Sequence, residues 1–166
     1  MIQGNIDLKK LHDFHLKLNY ELVSDGRIGF NFADPTHETK YNLESIQACV
    51  CRNLPENILS YIRKTFNMDG ISVSVQKMLP GMILPYHKDK YGFYLSQHTD
   101  IKIDQVKRVI VFLEDWKAGH ISEIAGESHT NWQQGDWISW TGTTPHLAAN
   151  LGFDNRYTLQ ITGILK

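Results

Sequence analysis

The sequence predicts a mainly β protein, a sandwich or barrel of short strands with helices flanking its N-terminal side. β-Branched and aromatic residues dominate the chain from Ile71 onward, and turn residues interrupt them about every ten positions. Apolar residues at helical spacing occur only before that point. A parallel α/β sheet would alternate strands with helices along the whole chain, so this pattern favours an antiparallel β architecture.

The first part of the chain, residues 1–70, carries the helical signals. Apolar residues three and four apart predict a helix over residues 43–50, and Pro55 opens a second helix that ends near Phe66. Proline fits such a start because its fixed φ angle suits the first turn. Two less regular segments are interpreted as a helix over residues 8–18 and a strand over residues 27–32.

The second part, residues 71–166, is predicted to form the β core. Pro80-Gly81 and Gln134-Gly135 are among the pairs that separate its strands, because proline fixes φ and glycine allows positive φ in tight turns. The predicted strands span residues 71–78, 83–89, 107–114, 120–126, 130–133, 136–140, 145–150 and 156–164.

Length and charge narrow the class of protein. A chain of 166 residues with 42% apolar content is long enough for one buried core and too short for two ordinary domains, so residues 1–166 are predicted to be a single domain. Lys and Arg number 17 against 18 Asp and Glu, and they are spread along the chain. A nucleic-acid partner is therefore not indicated, since such proteins present a basic face.

Targeting signals and disulfides are not indicated either. The longest obvious apolar run, residues 109–113, is far too short to cross a bilayer, and the N-terminus does not resemble a signal peptide. We therefore expect a cytoplasmic protein without a membrane partner. Cys49 and Cys51 lie two apart in a predicted helix, where they would point to different sides, so neither a disulfide framework nor a CxxC site is expected. The oligomeric state is not legible from the sequence.

A candidate metal site begins at His87-Lys88-Asp89. Residues i and i+2 of a strand project from the same face, so the predicted strand would present His87 and Asp89 side by side. His146, at the start of a later apolar strand, is the strongest candidate for a third ligand. Two His and one carboxylate form the ligand set of non-haem Fe(II) oxygenases, which leaves other metal positions open. The tripeptide alone is weak evidence for a metal site, because an HxD sequence often occurs by chance.

A candidate anion-binding residue follows ten positions after His146. Arg156 lies beyond a short turn, so a hairpin would return it to a strand beside the proposed metal ligands. A guanidinium is well suited to bind a carboxylate through two hydrogen bonds. Thr158 faces the same way and offers a hydroxyl. Arg156 alone would be interpreted as a surface charge. Because it follows His146 at this interval and lies within an apolar strand, it is instead predicted to bind an acidic co-substrate.

These residues together resemble a known family. His87-x-Asp89, His146 and Arg156-x-Thr158 look like the HxD…H and RxS/T signatures of the 2-oxoglutarate and Fe(II)-dependent oxygenases. Four elements occur in the right order, which makes the resemblance more specific than any one motif.

The resemblance covers roughly residues 71–163, and the run 135–159 is similar to the C-terminal half of the aspartyl/asparaginyl β-hydroxylase and prolyl hydroxylase-like branches. It implies a double-stranded β-helix, a cupin-like jelly-roll barrel with helices packed outside one sheet. It also implies that His87, Asp89 and His146 hold Fe(II).

The resemblance further implies the reaction and its cofactors. Arg156 would bind the distal carboxylate of 2-oxoglutarate, with Thr158 beside it, and Arg108 matches an arginine that helps hold this co-substrate in the β-hydroxylase branch. Fe(II), 2-oxoglutarate and O2 would together hydroxylate a C–H bond, releasing succinate and CO2. The substrate would be an amino acid, a peptidyl residue or a small metabolite.

Residues 90–104 separate Asp89 from the strand that carries Arg108, further apart than in the β-hydroxylase branch. Aromatic residues in a segment next to the metal suit a lid that excludes water or selects the substrate. A surface loop packed on the barrel rim is the equally weighted alternative. The candidate substrate residues are Tyr86, Gln76, Tyr91 and Tyr94.

Two other classes of protein stay open. A cupin-like metalloenzyme without 2-oxoglutarate would share the barrel and the metal ligands but would not need Arg156. A non-catalytic jelly-roll binding module would need neither the metal ligands nor Arg156. His120 and His129 are interpreted as rim or solvent residues because neither has a carboxylate two positions on.

Overall fold

The computed structural model describes residues 2–11, 13–24 and 47–165, and in them the chain folds into two antiparallel β-sheets. The larger sheet contains, in spatial order, β1 (Gly4–Asn5), β9 (Asp136–Thr141), β6 (Val106–Phe112), β11 (Arg156–Ile164), β4 (Asp69–Met78), β3 (Gln47–Cys51) and β2 (Glu21–Ser24). The smaller sheet contains β5 (Ile83–His87), β10 (His146–Asn150), β7 (His120–Ile124) and β8 (Glu127–His129). The mainly β prediction is confirmed.

Helical structure is sparse in the described residues. The helix α1 spans Glu56–Thr65 and the helix α2 spans Gly92–Gln97, with 3-10 turns at Lys9–Leu11, Phe14–Lys17 and Ile103–Gln105. No helix in this part of the chain is both long and apolar enough to cross a membrane.

Strand β11 positions the core and the site because its two faces differ in chemistry. Its outward residues Tyr157, Leu159 and Ile161 pack with α1 and the N-terminal turns into the largest apolar cluster. Its inward residues are polar and face the space between the two sheets: Arg156, Thr158 and Gln160. The period of two in a strand thus separates the apolar core from the candidate site.

The predicted N-terminal helices are reduced to one. The second predicted helix is confirmed as α1, which begins after Pro55. The prediction over residues 43–50 is wrong in its described part, because Gln47–Cys51 is the strand β3 and pairs with both β2 and β4. Apolar residues at short spacing suit either structure, and strand pairing decides between them.

The remaining N-terminal predictions fare differently. The predicted helix over residues 8–18 gives only the two 3-10 turns, interrupted at Asp13, whose φ of 48° is left-handed. The strand predicted over residues 27–32 lies outside the described residues. Cys49 and Cys51 are free and buried, and they lie in a strand instead of the predicted helix.

Two strand predictions also need correction. The fifth strand predicted for the β part covers residues 130–133, but β8 occupies Glu127–His129, directly after the turn at residues 125–126. The strand expected over residues 83–89 ends at His87, so Asp89 follows the strand and does not belong to it.

Candidate metal centre

The three predicted metal ligands lie together at the inner end of the smaller sheet. His87 ends β5 and His146 begins β10, and the two residues are direct partners in the antiparallel register. Their ring centroids are 4.3 Å apart. Asp89 closes the group, with Oδ1 3.7 Å from His87 Nε2 and Oδ2 3.8 Å from His146 Nε2.

Backbone carbonyls orient both imidazoles. His87 Nδ1 lies 2.6 Å from the carbonyl oxygen of Pro85, and His146 Nδ1 lies 2.9 Å from that of Thr144. Each Nδ1 is therefore placed to donate its proton, which leaves the Nε2 lone pair directed toward Asp89. Histidine ligands of metals are commonly held by such a second hydrogen bond, so the rings are set for metal binding.

Electrostatics favours the protonation states that a cation needs. Burial lowers the pKa of His87 and lowers that of His146 to about 4. Burial alone would raise the pKa of Asp89, but Arg108 and the two histidines outweigh it and lower that pKa. At neutral pH the group is two neutral imidazoles and one carboxylate, the form in which these side chains coordinate metal.

The donor set fits a divalent first-row metal. Its potential ligand atoms all lie within 4.8 Å of one another. Two imidazole nitrogens and one carboxylate oxygen are the set that Fe(II) uses in oxygenases, and three protein ligands with an open position also occur at catalytic zinc. The side chains therefore define a candidate metal centre. The ligands alone do not distinguish Fe(II) from zinc, so the surrounding residues must be considered.

Arg108 is bound to the metal-site carboxylate. Its Nη2 donates to Asp89 Oδ2 at 2.6 Å and its Nη1 donates to Thr162 Oγ1 at 2.5 Å. Only 8% of Arg108 is exposed, and its guanidinium lies 5.0 Å from the ring centroid of Tyr91. Arg108 therefore holds Asp89 through one nitrogen and Thr162 through another, and its contact with the co-substrate stays a prediction.

Arg156 lies in the same cavity, which has a volume of about 160 Å³ and is lined by both sheets. Its Nη2 donates to Ser122 Oγ at 2.5 Å, and its Nη1 lies 3.2 Å from the sulfur of Met78. Its Nε has no hydrogen-bond partner among the described residues, and burial alone lowers its pKa to about 10. Thr158, only 2% exposed, lines the cavity beside it.

The surroundings of Arg156 indicate an anion site. A buried guanidinium is costly unless an anion or hydrogen bonds compensate it. Within the described residues, no carboxylate forms an ion pair with Arg156. The cavity thus combines a donor set for a cation with a buried cation of its own.

The four candidate substrate residues separate into two groups. Gln76 lines the cavity and its Nε2 donates to Gln160 Oε1 at 2.7 Å. Tyr91 is buried against Arg108 and does not line the cavity. Tyr86 also lies off the cavity, because it precedes His87 on β5 and strand alternation turns it to the other side.

The fourth candidate, Tyr94, belongs to the segment 90–104. It lies on α2, where its hydroxyl donates to the carbonyl of Gly70 at 2.8 Å, away from the cavity. His98 also packs there: a Cβ on Gly70 would lie 2.7 Å from His98 Cε1, and the φ of Gly70 is +57°. The segment 90–104 therefore packs against the start of β4 through Tyr94 and His98. Its role as a lid stays a prediction.

Sequence reasoning missed several cavity residues. Ser122 and Trp140 both line the cavity: Ser122 binds Arg156, and the ring centroid of Trp140 lies 4.5 Å from that of His146. Serine and tryptophan are common in strands, so only the period of two from Arg156 and His146 across paired strands would have indicated them.

The interpretation of two further histidines as rim or solvent residues is wrong. His120 is 2% exposed and His129 is 7% exposed. His120 shares a face of β7 with Ser122, which directs it inward, and its Nε2 lies 3.3 Å from the carbonyl oxygen of Asp154. His129 pairs with Ser122 across β8 and β7.

Comparisons with known proteins agree with the architecture. No protein-family model and no curated protein matches the chain. A predicted oxalate decarboxylase from Thermotoga maritima has a TM-score of 0.51 at 13% identity, covering 90% of this chain and 96% of its own. A prolyl-4-hydroxylase from Pseudomonas putida has a TM-score of 0.51 at 13% identity, covering 71% of this chain and 69% of its own.

Together with the two facing antiparallel sheets, these likenesses show the fold. The chain is a double-stranded β-helix, a cupin-like jelly roll, as the sequence predicted. The fold and the His87, Asp89 and His146 group define the coarse class, a jelly-roll protein with a candidate metal centre.

Acid is expected to destabilise the metal-free protein. The pKa of His146 falls from 6.5 to about 4 on folding, so between these values the unfolded chain binds the proton and the folded chain does not. The free energy of unfolding is therefore unaffected by this proton above pH 6.5, and it decreases as the pH falls from 6.5 toward 4. Each such proton adds a slope of about 1.4 kcal/mol per pH unit to the free energy of unfolding.

Urea unfolding over a pH series measures this slope, and the variant His146→Gln should show a shallower one. His120 and His129, whose pKa values burial also lowers, act in both proteins and so cancel in the comparison. His87 lies against His146, so its pKa changes with the substitution and forms part of the measured difference. Parallel curves for the two proteins would contradict the expectation.

Proposed function

We propose that the protein is a 2-oxoglutarate- and Fe(II)-dependent dioxygenase. One observation carries the proposal: the candidate ligands His87, Asp89 and His146 share a cavity with Arg156, a buried guanidinium that no described carboxylate neutralises. A dicarboxylate that binds a metal at one end and an arginine at the other suits both features. The sequence resemblance to this family supports the same assignment.

The residues of the chain have distinct roles in this proposal. His87, Asp89 and His146 would hold the metal on one side, and Arg156 with Thr158 would bind the distal carboxylate of 2-oxoglutarate. When bound, Fe(II) with O2 and 2-oxoglutarate supplies the oxidising chemistry that hydroxylates a C–H bond and releases succinate and CO2.

Two other residues would shape the environment of the metal. Arg108 keeps Asp89 ionised and fixes its orientation through the 2.6 Å contact. Trp140, 91% buried and 4.5 Å from the ring of His146, helps to exclude water from that side. The substrate is proposed to be an amino acid, a peptidyl residue or another small metabolite, and the protein is proposed to act in the cytoplasm.

Anaerobic titration with Fe(II) and 2-oxoglutarate tests the proposal. We expect a weak visible charge-transfer band from the chelate, which requires both the metal and a co-substrate that coordinates it. The variant His146→Ala should lose the band and bound iron, because one of three protein ligands is removed. A folded wild-type protein that binds iron without the band contradicts 2-oxoglutarate use, and one that binds no metal indicates a non-catalytic module.

A cupin-like metalloenzyme that does not use 2-oxoglutarate is the second candidate. The match to the predicted oxalate decarboxylase favours it, because that match extends over 90% of this chain, against 71% for the prolyl-4-hydroxylase. Thermal stabilisation by 2-oxoglutarate only in the presence of metal separates the candidates. Stabilisation by metal alone, unchanged by 2-oxoglutarate, favours the second one.

A further inference from the structure

A second, larger cavity adjoins the candidate metal centre. It has a volume of about 350 Å³, and we call it the side groove. Gln76 and Gln160 line both this groove and the metal-site cavity, so this hydrogen-bonded pair of amides forms a boundary that the two spaces share. A substrate reaching the metal therefore has an adjoining space in which its remaining atoms can lie.

The side groove has a polar part on the sheet, and its lining also includes four apolar residues: Val50, Leu59, Ile71 and Val73. Ser74 and Gln76 lie on one face of β4, and the register pairs them with Gln160 and Thr158 of β11. Interior sheet faces are ordinarily apolar, because buried polar groups need partners. Hydroxyl and amide groups on this face instead suit the hydrogen bonds of a polar ligand.

The outer end of the groove carries positive charge. Arg52 follows the last residue of β3, and Val50, two residues before it, pairs with Gln76. Arg63 of α1 also lines the groove and is bound to Glu56 at 2.7 Å, whereas Arg52 is exposed. Among the described residues that line the groove there is no carboxylate. The electrostatic potential there favours an anion, with Arg52 as its partner.

Sheet geometry gives the length of a ligand that would use both spaces. Arg108, beside the metal ligands, lies on β6, and Arg52 extends β3, with β11 and β4 between these strands. Three strand spacings amount to about 14 Å, and an extended chain rises about 3.3 Å per residue. About four extended residues, or a small molecule of similar length, therefore span the distance.

We propose that the side groove binds the far end of the substrate, and that the substrate is an elongated molecule ending in a carboxylate or phosphate. Its reacting C–H bond would lie at the metal and its anionic group would meet Arg52. The inference rests on the proposed function. It narrows the proposed substrate from any small metabolite or peptide to an extended molecule with a negative charge at one end.

Binding of matched peptides to the iron- and 2-oxoglutarate-loaded protein under anaerobic conditions tests the inference. The probes are acetyl-tetraalanine with a free C-terminal carboxylate, the same peptide amidated, and an amidated peptide of equal length ending in phosphoserine. Ligand-observed NMR at millimolar concentration gives their affinities. The carboxylate and phosphate arms distinguish the two sources of negative charge.

We expect at least one anionic probe to bind about tenfold or more tightly than the neutral one, because a hydrogen bond to a charged group contributes that much. Arg52→Gln should abolish this preference. Lys64→Gln, which removes an exposed cation of α1 that does not line the groove, should preserve it. Equal affinities, a preference that survives Arg52→Gln, or no binding of any probe would each overturn the inference.

The visible band of the iron chelate, recorded on the same samples, separates this inference from the proposed function. A band without an Arg52-dependent preference means that only the side groove is misassigned. An Arg52-dependent preference without a band means that the groove binds anions while 2-oxoglutarate use is wrong.

Discussion

Replacing Arg156 by methionine is expected to abolish 2-oxoglutarate binding and to leave metal binding intact. Arg156 is 3% exposed, and its hydrogen-bond partners are a hydroxyl and a thioether. Neither partner carries a charge that would neutralise the guanidinium. Loss of two hydrogen bonds to a carboxylate, at about 1.5 to 3 kcal/mol each, weakens binding at least a hundredfold or so. The contacts of Arg156 with Met78, Ser122 and Trp132 include no metal ligand, so the affinity for metal should not change.

The same substitution should not destabilise the metal-free protein. Burial disfavours the charged form of Arg156 and lowers its pKa to about 10. Methionine has similar length and no charge, so the free energy of unfolding should stay level or rise. Calorimetric titration with Mn(II) and 2-oxoglutarate, together with thermal unfolding, measures both effects.

Thr158→Val is the matched control, because it keeps the shape of a buried neighbour and removes one hydroxyl. A loss of about tenfold in affinity for 2-oxoglutarate is expected from one hydrogen bond. Unchanged binding of 2-oxoglutarate by Arg156→Met would remove the main support for the proposed co-substrate and favour the cupin-like alternative.

Replacing Arg108 by methionine is expected to destabilise the protein and to weaken metal binding together. The Arg108 guanidinium lies 2.6 Å from Asp89, and the pKa of that carboxyl is lowered because Arg108 and the two histidine ligands outweigh the cost of burial. Removing one partner of a buried ion pair typically costs about 3 to 5 kcal/mol, since the other charge stays buried. Asp89 would then bind a proton more readily and compete less well for metal.

A double substitution separates the two effects. Arg108→Met with Asp89→Asn removes both charges, so much of the free energy of unfolding should return while metal binding stays lost. Urea unfolding and Co(II) titration of the single and double variants provide the measurements. If Arg108→Met kept its stability and its affinity for metal but lost 2-oxoglutarate, Arg108 would serve the co-substrate, as the sequence resemblance implied.

Local pattern made much of this fold predictable. The last strand was expected over residues 156–164 and is observed as Arg156–Ile164, because a long β-branched run is bounded by clear turn residues. α1 was predicted from its proline start and its apolar stripe. β3 was mistaken for a helix, because its identity depends on pairing with β2 and β4, which local spacing does not report.

The sequence by itself determined a sandwich or barrel of short strands, because strand period and turn chemistry are local information. The order of His87, Asp89, His146 and Arg156 along the chain supplied the candidate ligands and the family resemblance that implied a jelly roll. Tertiary structure alone decided what those residues contact. It joined Arg108 to Asp89 across 19 residues and placed Arg156 against Ser122 across 34. Such contacts depend on register between strands distant in the chain, where a shift of one residue turns every side chain to the opposite face.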